Sequence, residues 1–196
     1  MRVLIATKNP GKARELSAIL ATLGLDAAPL PADAEDVDET GTTFLANATL
    51  KARTYAARHA AACLADDSGL EVDALGGEPG VYSARFARRN DAGSGDDANN
   101  AHLLHRLNGV GDRAARFVCQ LVLCDAEGRT LAAARGTVEG GIAHEPRGDN
   151  GFGYDPLFVV SDGRHMAELT KDEKGAISHR GVAARRLADA LEGALA

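Results

Sequence analysis

Four short groups of residues have types and spacings that could do chemistry. Thr7-Lys8-Asn9-Pro10-Gly11-Lys12 sets two lysines in a turn cluster, between an apolar run and a helical pattern. Backbone N–H groups at a helix start attract anions, and the lysines add charge. The segment is not a P-loop: Ala6 stands where that motif needs its first glycine, and Ala13 leaves no hydroxyl after Lys12 for magnesium. An ordinary strand-to-helix turn with solvated lysines explains it equally well. Asp66-Asp67-Ser68-Gly69 offers a carboxylate that could hold a hard cation and orient a water, although a polar turn between strands needs the same residues. Asp38 and Glu39, at the end of an acidic stretch from Asp33, are further candidate metal ligands or simply a solvated loop.

The third group is Gly151-Phe152-Gly153-Tyr154-Asp155-Pro156, in a chain with 4% aromatic residues and no Trp. If this segment is extended, Phe152 and Tyr154 share a face, and glycines beside them let a flat ligand approach. A base stacked on such a face gains about 1–3 kcal/mol. The fourth is Lys171-Asp172-Glu173-Lys174 followed by Ser178-His179-Arg180, donors that suit a keto oxygen or a phosphate. Asp67, Ser68 and His179 also have the residue types of a hydrolytic triad, but Ser68 lacks the G-x-S-x-G elbow and nothing links the three.

The elements that must position these groups follow from periodicity. Residues 3–6 read as a strand. Leu16, Ile19, Leu20 and Leu23 then mark a helix stopped by Gly24, and 25–30 reads as a second strand. Thr42 is a candidate cap for a long helix with Phe44, Ala48, Ala52, Tyr55 and Ala56 inward and Asn47 and Lys51 on a neighbouring polar stripe. Strands are expected at 63–66 and 70–72, and a mobile loop from Arg88 to Asn100 ahead of a helix at 98–107. Strands at 115–124 and 131–138 flank a turn at Asp125-Ala126-Glu127-Gly128. A strand at 157–160 and a helix from His179 to about Leu191 complete the pattern. Strands and helices mixed around a central hairpin predict an α/β fold with a mixed sheet.

At 196 residues the chain suits one domain, and 45% apolar with 26% charged residues suits a globular protein. The net charge of −6 argues against a nucleic-acid polymer or an anionic membrane as partner. The first apolar run is too short for a signal peptide or a span. Cys63, Cys119 and Cys124 lack metal-ligand spacing and read as buried thiols, Cys119 and Cys124 on opposite faces of a strand; a cytoplasmic setting is expected.

Six segments then occur in order: Thr7 to Lys12; Thr43-Phe44 with Asn47-Ala48 and Lys51-Ala52; Ala65 to Leu70; Gly80-Val81-Tyr82-Ser83-Ala84-Arg85; Phe152 to Pro156; and Ser178-His179-Arg180. Together they resemble the Ham1/RdgB family of inosine/xanthosine triphosphate pyrophosphatases over nearly the whole chain. The resemblance implies an elongated α/β domain of two lobes around a central cleft, a homodimer, and Mg²⁺. It implies hydrolysis of dITP, ITP or XTP between the α and β phosphates. By position it implies that Thr7, Lys8, Asn9, Pro10, Gly11, Lys12 and Lys51 hold the triphosphate. Asp67 becomes proton acceptor and metal ligand with Asp38 or Glu39, and Ser68 lies beside it at the substrate. Phe152, Gly153, Tyr154, Asp155, Lys174, His179 and Arg180 surround base and sugar. A related Maf-type pyrophosphatase and a non-catalytic nucleotide- or RNA-binding module are the competing readings; Ser178-His179-Arg180 disfavours the first and the acidic balance disfavours RNA.

Overall fold

The computed structural model of the chain describes residues 2–22 and 24–195, so Leu23 of the first helical stripe lies outside the described residues. Six strands form one sheet: β1 (Arg2–Ile5), β2 (Asp26–Pro29), β3 (Cys63–Val72), β4 (Ala114–Cys124), β5 (Thr130–Ile142) and β6 (Phe158–Val159), in the order β2-β1-β3-β4-β5-β6. β1 pairs in parallel with both β2 and β3, whereas β5 and β6 are antiparallel, so the sheet is mixed as expected. The helices are α1 (Pro10–Thr22), α2 (Phe44–His59), α3 (Phe86–Arg89), α4 (Asp96–Arg106), α5 (Lys171–Ile177) and α6 (His179–Leu195). Among the described residues no helix is long and apolar enough to cross a membrane.

The chain divides into two compact units. The first comprises Met1–Asp67, Cys119–Gly136 and His179–Ala196; the second comprises Ser68–Val118 and Thr137–Ser178. Within the first unit, strand alternation sorts the core. Leu64, Cys119, Leu121 and Leu123 pack with Leu16, Ile19 and Leu20 of α1 and with Ala183, Ala184 and Leu187 of α6. Their neighbours Cys63, Ala65, Val122 and Cys124 pack with Ala48, Ala52, Tyr55 and Ala56 of α2. Alternate residues of β3 therefore address α1 and α6 on one side and α2 on the other. Cys119 and Cys124 fall in different clusters, as their odd spacing requires. Gly136 lets β5 approach the first turn of α6, because a Cβ there would collide with the His179 carbonyl and the Ala183 amide. The second unit has one core, in which Leu70, Phe86, Leu103, Phe117, Leu157 and Phe158 are buried.

Several boundaries differ from those read in the sequence. β3 is a single ten-residue strand, not two strands around a turn. Gly69 is there for close approach: a Cβ would strike Ser83 Oγ and the Gly80 carbonyl, while Ser83 Oγ accepts the Leu70 N–H at 2.9 Å. The cap of α2 is Thr43, not Thr42, since the Thr43 hydroxyl accepts the Ala46 N–H at 3.1 Å. The stretch from Arg88 to Asn100 is partly helical: α3 ends inside it, and α4 begins at Asp96 rather than Ala98, with two acids in its first turn. β6 is shorter than expected and α6 longer.

Candidate active site

Asp66 and Asp67 are adjacent on β3, so their carboxylates leave the strand on opposite faces. Asp66 follows the parity of Leu64 and meets α1 and α6. Its Oδ1 lies 2.6 Å from Lys12 Nζ, and its Oδ2 lies 3.2 Å from Arg180 Nε and accepts the Cys119 thiol at 3.0 Å. Asp67 follows Ala65 and meets α2, where Lys51 Nζ is 3.7 Å from its Oδ1. Lys51 also donates to Glu39 Oε1 at 2.6 Å and to the Asp66 carbonyl at 2.7 Å. Glu15, one turn beyond Lys12 on α1, accepts from Arg180 Nη1 at 3.1 Å.

The two acids titrate in opposite directions. Burial alone would raise Asp66, but Lys12 and Arg180 outweigh it and hold that carboxyl far below the usual range. Burial raises Asp67 to about 6; Lys51 and Lys12 oppose this, and Glu39 and Asp66 add to it. Burial would lower Lys51, yet Asp67, Glu39 and Asp66 together keep its ammonium charged. Counting Glu15, Glu39, Asp66 and Asp67 against Lys12, Lys51 and Arg180, this group carries one more negative charge than positive.

That balance, and the buried Asp67 Oδ2 with no hydrogen-bond partner, suit a hard divalent cation. Asp67 and Glu39 are the oxygens near Lys51 that could reach it; Asp38 is exposed, and Glu39 rather than Asp38 is drawn to Lys51. Among the described residues no three His, Cys, Asp or Glu side chains cluster as a complete metal cage. The protein oxygens would therefore serve as a partial set, completed by water or phosphate, as is usual for Mg²⁺.

The Thr7 to Lys12 turn differs from its expected form. Asn9 Oδ1 accepts the Gly11 and Lys12 N–H groups at 2.9 and 3.1 Å, and Thr7 Oγ1 accepts the Asn9 N–H at 3.2 Å. The first amides of α1, which the sequence reading offered to an anion, are capped from within; what the turn presents is the side chains of Lys8 and Lys12. Lys8 is exposed and pairs with Asp36 at 3.1 Å.

In the second unit, Phe152 to Asp155 form a turn, not an extended segment, with the Asp155 N–H on the Phe152 carbonyl at 3.3 Å. The two rings consequently do not share a face. Tyr154 is buried and donates its hydroxyl to the Ser83 carbonyl at 2.9 Å, which makes it an anchor of the turn and leaves Phe152 as the accessible ring. Asp155 Oδ2 accepts from Phe152 N–H at 2.9 Å and from Lys174 Nζ at 2.6 Å, and Lys174 Nζ lies 5.0 Å above the Phe152 ring. Gly151 has φ +82°, and a Cβ there would collide with the Asp155 carboxylate. Gly153 donates its N–H to Asp96 Oδ2 at 2.7 Å and accepts from Asn100 Nδ2 at 2.9 Å. Gly151 serves the turn itself, whereas a Cβ on Gly153, at φ +64°, would stand in open space. Ser68 is half-buried on β3; His179 and Arg180 are buried in the first turn of α6.

The sequence placed Asp66 in the candidate acidic motif and Asn47 on the stripe beside Lys51 without a role for either, and gave no sign of Glu15. A signal for Asp66 was present: Cys63-Leu64-Ala65 is a continuous apolar run, the mark of a strand covered on both faces, which points to burial of the acids that follow it.

The model of the Ham1 family matches residues 3–190. A dITP/XTP pyrophosphatase of Exiguobacterium sp. is 56% identical over 190 residues, covering 95% of each chain. Its counterpart in Nitratidesulfovibrio vulgaris is 51% identical over 94% of this chain and 93% of that one. Among solved structures, the Ham1 protein of Staphylococcus aureus matches with a TM-score of 0.83 at 43% identity, covering 98% of this chain and 99% of that one. A likeness this deep over the full length, with its motifs on the strands and helix starts just described, places the chain in the Ham1 family.

Proposed function

We propose that this protein hydrolyses non-standard purine nucleoside triphosphates (dITP, ITP and XTP) to the monophosphate and pyrophosphate, with Mg²⁺, in the cytoplasm and as a homodimer. The observation that carries the proposal is the Asp67–Lys51–Glu39 group in a chain whose full-length relatives are named dITP/XTP pyrophosphatases.

The first unit supplies the reaction chemistry. Mg²⁺ held by Asp67 and Glu39 would neutralise phosphate oxygens and offset the group's excess negative charge. In the metal-free chain burial raises Asp67 to about 6, so it is ionised near neutrality, and by the family resemblance it is the proton acceptor. Water attacks the α-phosphorus, its proton passes to Asp67, and the bond from the α-phosphorus to the bridging oxygen breaks, so that pyrophosphate leaves. Lys12 and Lys51 carry positive charge to the phosphates, with Lys8, Thr7, Asn9, Pro10 and Gly11 lining the turn. For base recognition the candidates are Phe152, which offers a ring face, and Lys174, which is fixed by Asp155 and offers a donor. A 6-keto oxygen accepts from such a donor and the 6-amine of adenine does not, a distinction that polar sites can turn into a factor of about 10⁴ against ATP; guanine shares the 6-keto oxygen, so rejecting GTP takes a further contact at its 2-amine. Ser68, His179 and Arg180 complete the substrate set.

The test is pyrophosphate release with Mg²⁺ from dITP, ITP and XTP against ATP, GTP and dTTP. Strong release from the first three alone fulfils the proposal. Equal release from all six discards the account of base choice, and release from none discards the activity.

A further inference from the structure

Glu39 sits on the chain between β2 and α2, where residues 34–41 form neither helix nor strand, so something other than a backbone ladder must hold it. Asn47, in the first turns of α2, is completely buried. Its Oδ1 accepts the Gly41 N–H at 2.8 Å, and its Nδ2 has no hydrogen-bond partner. The loop presses close at this point: a Cβ on Gly41 would lie 2.7 Å from both Asn47 Oδ1 and Ala46 Cβ and 3.1 Å from Asn47 N. Only glycine fits without displacing the loop. One turn further along the same face of α2, Lys51 Nζ holds Glu39 Oε1 at 2.6 Å.

Around Glu39, α2 thus holds this loop at two points, by a neutral amide at Gly41 and by a charge at Glu39. The two grips do different things. Lys51 fixes the Glu39 carboxylate but is itself shared with Asp67 and the Asp66 carbonyl. Asn47 fixes the backbone two residues from Glu39 and has no charge to exchange with a phosphate or a metal ion. We propose that Asn47 is a positioning residue that clamps the Gly41 backbone against α2 and so keeps Glu39 beside Lys51 and Asp67 in readiness for the divalent cation; this rests on the magnesium-dependent reading above. Neutrality is part of the design, since an aspartate at 47 would add another acid to a group already negative.

The experiment compares wild type with Asn47→Ala, which removes the acceptor, and Gly41→Ala, which keeps the acceptor and forces the loop off it. Arg58→Ala removes an exposed contact from α2 to the Glu35 carbonyl in the same loop and serves as control. Hydrogen exchange followed by mass spectrometry in metal-free protein should show residues 39–42 exchanging at least about tenfold faster in both test variants, with 48–59 unchanged. Calorimetric titration with Mn²⁺ in the absence of nucleotide should show affinity lowered by about tenfold or more, a range seen when groups that support metal ligands are lost. The Mg²⁺ concentration for half-maximal turnover should rise in step, while kcat at saturating Mg²⁺ falls less than about threefold. Arg58→Ala should match wild type in each. Variants that lose thermal stability but keep wild-type exchange at 39–42 and wild-type Mn²⁺ affinity would overturn the clamp. Should wild type hydrolyse no triphosphate at any Mg²⁺ concentration, the functional reading fails by itself, and the exchange and Mn²⁺ data still decide for or against Asn47.

Discussion

Replacing Asp67 with Asn should cut turnover by orders of magnitude and at the same time make the metal-free protein more stable. Asp67 is 4% exposed, and its burial raises the carboxyl from 3.8 to about 6. At about 1.4 kcal/mol per pH unit of difference, folding the ionised form costs about 3 kcal/mol relative to the protonated one. The sign follows from the folded value lying above the unfolded one: the cost is full above pH 6, shrinks as pH falls, and is gone below 3.8. Asparagine has the shape of the protonated acid and no charge, but it leaves an unpaired buried amide in place of the unpaired Oδ2. The expected gain at pH 8 is therefore about 2–3 kcal/mol, which in a chain of 196 residues is a rise in Tm on the order of 4–12 °C.

Urea or thermal unfolding of both proteins in chelator at pH 8, 6 and 4.5 measures this. The gap should be nearly full at pH 8 and 6 and drop to about 1 kcal/mol at pH 4.5. Adding Mg²⁺ at pH 8 should stabilise wild type and close the gap from its side, because a ligand that binds only the folded state adds to stability. Activity of the variant should fall by about 10²–10⁴. A variant no more stable than wild type at pH 8, or a gap independent of pH, would refute the account of Asp67 as a buried acid held ready at a cost in stability.

The remaining expectations are shorter. Glu39→Gln should raise the Mg²⁺ concentration for half-maximal activity by about tenfold or more, while Asp38→Asn, on an exposed side chain, stays within about twofold; equal effects would return the metal assignment to an open choice. Gly151→Ala should cost about 1–3 kcal/mol in urea unfolding, since it places a Cβ against the Asp155 carboxylate at φ +82°. Burial pushes the Cys63 thiol up to about 11 and Cys119 well above its ordinary value. All three buried cysteines should thus resist a thiol reagent at pH 8 in the folded protein and all react once it is unfolded; a thiol that reacts at once in the native state would contradict the packing around β3 and β4.

The parts of this fold that were legible in the sequence are those where periodicity and chemistry agree. The inward stripe of α2 lies in the core residue for residue, because an apolar face at helical spacing has one way to be buried. The mixed sheet followed from the order of strands and helices. Legibility failed where a residue type has two physical uses. Gly69 beside two acids and a serine reads as a turn, yet its use is close approach to Ser83 within an unbroken strand. Gly151 reads as room for a ligand, and a Cβ there would instead meet the Asp155 carboxylate within the turn. Asn9 reads as part of an anion-binding turn, and its carboxamide occupies the amides such a site would use. Short-range spacing cannot choose between such uses, because the deciding atom lies on a distant part of the chain or in the rotamer of the residue itself.

The pair at positions 66 and 67 joins these points. One peptide bond separates two buried aspartates whose titration is driven in opposite directions, and the cause is alternation alone: one faces α1 and α6, the other α2. Asp66 meets two cations and a thiol, so it stays ionised, its oxygens held by Lys12, Arg180 and Cys119. Asp67 meets one lysine, already bound to Glu39, and retains a bare oxygen. The first arrangement lowers the free energy of the folded chain; the second raises it. A strand that buried both acids on equal terms would have two inert salt bridges, and one that exposed both would have two ordinary carboxylates near 3.8. Only the unequal pairing gives a carboxylate that a cation or a proton is needed to satisfy, and the cost of holding it is met by the cores on either side of β3.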